Sequence, residues 1–145
     1  MTVERMDHVG VIVGDLEDAI GFFAELGLEL DGRMTGEDEG VDRILGLEGV
    51  RTEFAFMRVP GGHGALELIR FDSPPAVDGG SHAPANALGL RHVTFAVDDI
   101  KDVLARLQAR GAELVGELVN YGDSYWLCYV RGPDGIIVEL AEKIG

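Results

Sequence analysis

Residues 6–30, MDHVGVIVGDLEDAIGFFAELGLEL, lie without a gap over residues 90–114, LRHVTFAVDDIKDVLARLQARGAEL. His8 falls on His92, Val9 on Val93 and Val13 on Val97. Asp15 falls on Asp99, Leu16 on Ile100 and Asp18 on Asp102. Gly27, Glu29 and Leu30 fall on Gly111, Glu113 and Leu114. The identities include an imidazole, a helix cap and a turn glycine, so chance is a poor explanation and the chain reads as a duplication. Each copy predicts a β-branched strand, over residues 7–13 and 91–97, then a helix. Asp15 and Asp99 are placed to cap those helices. Leu16, Ile20, Phe23 and Leu26 share one helix face, as do Ile100, Val103, Leu104 and Leu107. Gly27 and Gly111 suit the left-handed turn that ends a helix.

The second half of each copy repeats more loosely. Arg58-Val59-Pro60-Gly61-Gly62 and Arg131-Gly132-Pro133-Asp134-Gly135 are turn signals between apolar runs, which predicts a hairpin in each. The closing strands carry Leu66-Glu67-Leu68 and Val138-Glu139-Leu140. The fold class is α+β, with two βαβββ modules at residues 5–71 and 89–143. A Pro-, Gly- and Ser-rich linker at 72–88 joins them. A polar, Gly-rich stretch at 31–49 reads as irregular.

Strands alternate faces, which sets the chemistry. Val9, Val11 and Val13 oppose His8, Gly10 and Ile12; Val93, Phe95 and Val97 oppose His92, Thr94 and Ala96. The first set suits packing under the helix, and the His face is lined by smaller residues. On the closing strands Glu67 and Glu139 oppose their apolar neighbours. A carboxylate between two apolar strand residues is costly to bury unpaired. Two imidazoles and two carboxylates around one divalent metal would satisfy all four. Mixed N and O donors suit Zn, Ni, Co, Mn or Fe without choosing among them.

At these residues the chain resembles the vicinal oxygen chelate superfamily, which includes glyoxalase I, methylmalonyl-CoA epimerase, extradiol dioxygenases and bleomycin-resistance proteins. The stretches that carry it are MDHVGVIVGDLEDAIGFF, ALELIRF, LRHVTFAVDDI and RGPDGIIVEL, and the resemblance covers nearly the whole chain. It implies paired βαβββ modules in a curved, cup-shaped mixed sheet around a metal, with the helices outside. It also implies a homodimer. The family's ligand positions correspond to His8, Glu67, His92 and Glu139, as in bacterial-type glyoxalase I. The epimerases usually carry Gln at the position of Glu67, and the dioxygenases use a His, His, Glu triad. Glyoxalase I has an Arg four residues after its first ligand His. Ile12 stands there in this chain, which argues against glutathione.

The expected chemistry is proton transfer next to a carbonyl of a small-molecule substrate, in a metal-dependent lyase or isomerase. Glu139 and Glu67 are the candidate bases. Glu53 is a third carboxylate, on the strand beside Glu67. Tyr121, Tyr125 and Trp126 flank the turn at Gly122-Asp123-Ser124 and are candidate substrate contacts, with sheet packing as their competing role. Arg51 is a candidate anion anchor, against surface charge pairing. A ring-cleaving Fe or Mn dioxygenase and a drug-sequestering binding protein are the alternatives.

Composition narrows the partners. Twenty-six acids against twelve bases give a formal net charge of −14, which disfavours nucleic acid and anionic membrane surfaces. No apolar run approaches the roughly 20 residues of a membrane-spanning helix. No basic segment followed by an apolar one opens the chain, so no signal peptide is expected. Cys128 is the one cysteine, which fits a reducing, cytoplasmic compartment.

Overall fold

The computed structural model describes residues 2–145. Two compact units divide the chain, one ending at Asp78 and the other covering Gly79–Gly145.

The first unit runs β1 (Val9–Ile12), α1 (Leu16–Leu26), β2 (Glu29–Gly36), α2 (Glu39–Leu45), β3 (Arg51–Arg58) and β4 (Ala65–Ser73). Its sheet has the order β1-β4-β3-β2. β1 lies parallel to β4, whereas β4, β3 and β2 are antiparallel neighbours. α1 forms where the repeat predicts it: the Asp15 carboxylate accepts the Asp18 backbone N–H at 3.0 Å. Gly27 ends it with φ 120°, a backbone that disfavours a side chain. Leu16, Ala19, Phe22, Phe23 and Leu26 are buried along its inner stripe. That stripe packs on β2, β3 and β4, with Ala55, Met57, Leu66 and Leu68 buried in the same core.

The second unit runs β5 (His92–Ala96), α3 (Ile100–Ala109), β6 (Glu113–Leu114), β7 (Val119–Tyr121), β8 (Tyr125–Arg131), a 3-10 turn (Pro133–Gly135) and β9 (Ile137–Lys143). Its order is β5-β9-β8-β6, with β7 also on β8. β5 and β9 are parallel. Ile100, Val103, Leu104 and Leu107 are all buried on α3, as the repeat predicts. Asp99 accepts the Asp102 backbone N–H at 3.1 Å, matching Asp15. Arg131 donates to the carbonyls of Gly135 (2.9 Å) and Ala83 (2.7 Å), so its guanidinium ties the stretch before β5 to the hairpin turn.

Two expectations need correction. Residues 31–49 are regular for most of their length: β2 continues to Gly36 and α2 spans Glu39–Leu45, with residues 46–49 irregular. β2 is an edge strand, so its polar residues keep a full ladder with β3 across a register shift between Leu30 and Gly32. In the second unit the corresponding edge is broken into two short strands. β6 pairs with residues 130–131 of β8, and β7 pairs with residues 125–127. Both units are thus variants of βαβββ, one with an inserted helix and one with an interrupted edge.

Candidate metal-binding half-sites

Each unit brings one His and one Glu together on the sheet face away from its helix. His8 immediately precedes β1, and Glu67 lies on β4 beside Gly10. The His8 Nε2 stands 3.9 Å from Glu67 Oε1. In the second unit His92 opens β5 and Glu139 lies on β9 beside Thr94. The His92 Nε2 stands 3.4 Å from Glu139 Oε1. The two Glu side chains keep 22% and 18% exposure, whereas the two His keep about a third. Each pair therefore sits at a partly open surface, where an incoming ligand can reach both donors.

Both pairs have an aromatic wall at the same place. Phe56 is the cross-strand partner of Glu67, and Tyr129 is the cross-strand partner of Glu139. His8 meets Phe56 edge-on, with ring centroids 5.4 Å apart. His92 and Tyr129 lie 4.9 Å apart at a tilt of 40°. Phe54 extends the first wall, edge-on to Phe56 at 5.9 Å. The sequence held the signal for Phe56 and Tyr129. Pairing Arg58 with Ala65 across one hairpin, and Arg131 with Ile137 across the other, places each opposite its Glu.

Each pair also has a polar neighbour. Asp7 Oδ2 lies 2.7 Å from His8 Nδ1 and a second oxygen accepts from Arg5 at 3.1 Å. The His8 hydrogen bond, with Arg5 next, holds the Asp7 carboxyl below its ordinary range. A carboxylate on Nδ1 favours the tautomer whose Nε2 lone pair faces Glu67. In the second unit Thr94 Oγ1 donates to Glu139 Oε1 at 2.7 Å.

The remaining candidates scatter. Glu53 lies on the opposite face of the first sheet from Glu67, ion-paired with Arg33 at 2.8 Å and with Arg70 at 3.9 Å. Arg33 continues that chain to Glu17 on α1. Arg51 begins β3, well exposed, with Glu37 at 3.7 Å. Trp126 faces the helix side, with Lys101 Nζ 4.6 Å from its ring. Tyr121 and Tyr125 pair with each other on the Glu139 face. Tyr125 is four residues from Tyr129, roughly 13 Å along the strand. Both stand at the end of the sheet rather than beside Glu139. Cys128 is buried on the helix face, and that burial, with the Glu139 charge next, pushes its thiol up to about 11.

The donor chemistry fits a divalent cation. Metal–N and metal–O bonds of ~2.1 Å at right angles put neighbouring donors about 3 Å apart. Both Nε2–Oε1 separations need only a small side-chain adjustment to reach that value. Among the described residues, no group of three or more His, Cys, Asp or Glu side chains is gathered as a metal site; what each unit brings together is a pair of donors.

Comparison with known proteins places the fold in its family. The chain is 47% identical to a glyoxalase family protein of Bacillus cereus whose crystal structure is known, covering 100% of this chain and 97% of that one, with a TM-score of 0.96. It is 28% identical to the uncharacterized protein YwbC of Bacillus subtilis (strain 168), over 97% of this chain and 98% of that protein. TnmS3, an antibiotic binding protein from Streptomyces sp. CB03234, shares the fold at 21% identity and a TM-score of 0.66, over 99% of this chain and 98% of its own. The family model for the Glyoxalase/Bleomycin resistance protein/Dioxygenase superfamily matches residues 5–140, and the chain belongs to that superfamily.

Proposed function

We propose that the protein is a metal-dependent lyase or isomerase that moves a proton next to a carbonyl of a small-molecule substrate. One observation carries the reading: two repeat-matched His–Glu pairs, each half-buried against an aromatic ring, with their Nε2 and Oε1 atoms within 4 Å. His8, Glu67, His92 and Glu139 are the proposed ligands of one divalent ion, two pairs to each ion. When bound, that ion supplies Lewis acidity to the substrate oxygen. The chain's own residues supply the rest. Glu67 and Glu139 are the proposed bases for the carbon-bound proton. Phe56 and Tyr129 stand across the strand from the two carboxylates, and an apolar ring beside a carboxylate makes it a stronger base by solvating its charge poorly.

The proposed substrate is a small carbonyl compound, and the chain's charge and sequence argue against larger partners. Glutathione adducts are disfavoured, because Ile12 supplies no charge where glyoxalase I carries Arg. The net charge of −14 disfavours nucleic acid and anionic lipid as partners, and no helix among the described residues is long and apolar enough to cross a membrane. A second copy of the chain is the proposed assembly partner, supported by membership of a superfamily whose members often form dimers. One buried cysteine fits the reducing cytoplasm.

The test is deuterium wash-in. Metal-loaded protein in D₂O is incubated with 2-oxoaldehyde thiol adducts, 2-methyl-branched acyl thioesters and α-hydroxyketones, and the α-proton is followed by NMR. Exchange with at least one class, abolished by chelation, is the expected result. Oxygen uptake with catechols and no exchange replaces this reading with a ring-cleaving dioxygenase. Tight binding of a planar drug with neither activity makes the protein a binding module.

A further inference from the structure

The two carboxylates occupy equivalent repeat positions but are not held alike. Glu139 lies beside Thr94 on the neighbouring parallel strand, and the Thr94 hydroxyl donates to its Oε1 at 2.7 Å. A hydroxyl donating to a carboxylate is a charge-assisted bond, about twice as strong as a neutral one. The repeat counterpart of Thr94 is Gly10, which lies beside Glu67 in the same parallel register. Gly10 has no side chain to donate. A Cβ built there would touch only Ile69 Cδ1, at 3.8 Å, so there is room at that position. Glu67 is also the farther of the two from its His, 3.9 Å against 3.4 Å, and the more exposed.

We infer that Thr94 is a positioning residue that fixes Glu139, and that Gly10 leaves Glu67 as the carboxylate that swings to carry the proton. This rests on the metal-dependent proton-transfer reading. The step is balanced: the substrate C–H bond breaks, its electron pair passes to the carbonyl oxygen, and the proton goes to a Glu67 oxygen. Return of that proton to carbon closes the cycle. A tethered Glu139 is a constant donor; an untethered Glu67 has the rotamer freedom that the transfer needs.

Three variants test the division. Thr94→Ala removes the tether, Thr94→Ser keeps the hydroxyl, and Gly10→Thr installs a hydroxyl beside Glu67. Gly10 and Thr94 are exposed and Gly10 has no positive φ, so each variant folds, which circular dichroism checks. Metal affinity is read by competition with a chromophoric chelator, and α-proton exchange by NMR. Thr94→Ala is expected to weaken metal binding about 10- to 100-fold, as loss of a ligand's hydrogen-bond partner does, and Thr94→Ser to restore it. Gly10→Thr is expected to bind metal at least as well as wild type, yet to exchange the α-proton at least about tenfold more slowly. Wild-type affinity in Thr94→Ala, or wild-type exchange in Gly10→Thr, overturns the inference and leaves the metal reading intact. Wild-type protein that takes up no metal removes both.

Discussion

At the residue scale, the pairing of His8 with Glu67 and of His92 with Glu139 was legible because a duplication repeats chemistry at fixed spacing. A Glu flanked by apolar strand residues calls for a partner as far as it is buried, and both here are partly buried, each beside a His. Phe56 and Tyr129 were less legible, because facing residues emerge only after the hairpin register is counted. Glu53 and Trp126 show the same limit. Each neighbours a candidate residue in sequence or on the next strand, yet alternation turns each to the helix side. Cys128 gives a direct check on that side of the second sheet. Its folded thiol is raised to about 11 from an unfolded value of 9.0. The unfolded chain therefore loses this proton first as pH rises, and stability falls between those two values. Urea titrations of wild type and Cys128→Ala should diverge across that window by on the order of 2 kcal/mol. Ellman's reagent at pH 8 should label the native thiol far more slowly than the unfolded one. Rapid native labelling would contradict its burial.

At the element scale, α1 and α3 were readable because each has a capping Asp and an unbroken apolar stripe. α2 was not readable. Its caps are present, with Asp38 accepting the Val41 N–H at 2.9 Å and Gly46 in the left-handed region. None of its residues is buried, so the apolar periodicity that marks a helix is missing. The two kinds of helix should respond differently to truncation. Phe23→Ala removes a fully buried ring from the α1 core and should cost about 3–5 kcal/mol in urea unfolding. Ile44→Ala, at 82% exposure on α2, should change stability by no more than ~0.5 kcal/mol. Asp15→Ala should cost about 1 kcal/mol through its lost cap. Equal losses for Phe23→Ala and Ile44→Ala would refute this division between core and surface helices.

At the scale of the whole molecule, the repeat fixed the α+β class and the order of elements, while the edge strands diverged. An edge strand has one neighbour, so insertion of α2 in one unit and a break between β6 and β7 in the other leave the inner strand pairs intact. The Glu of each His–Glu pair lies on an inner strand and the His at the start of the parallel strand at the opposite edge, so divergence at the β2 edge and the β6–β7 edge spares both pairs. The central claim is that both pairs bind metal together. A ligand at 100 times its dissociation constant stabilises the folded state by about 2.7 kcal/mol, so chelation should lower Tm by several degrees. The most direct measurement is the metal content of protein purified after metal-replete expression, by elemental analysis, for wild type, His8→Ala and Glu139→Gln. The account requires about one divalent ion per chain in wild type and a marked loss in both variants, although they alter different units. Metal-free wild type, or undiminished metal in either variant, would contradict it.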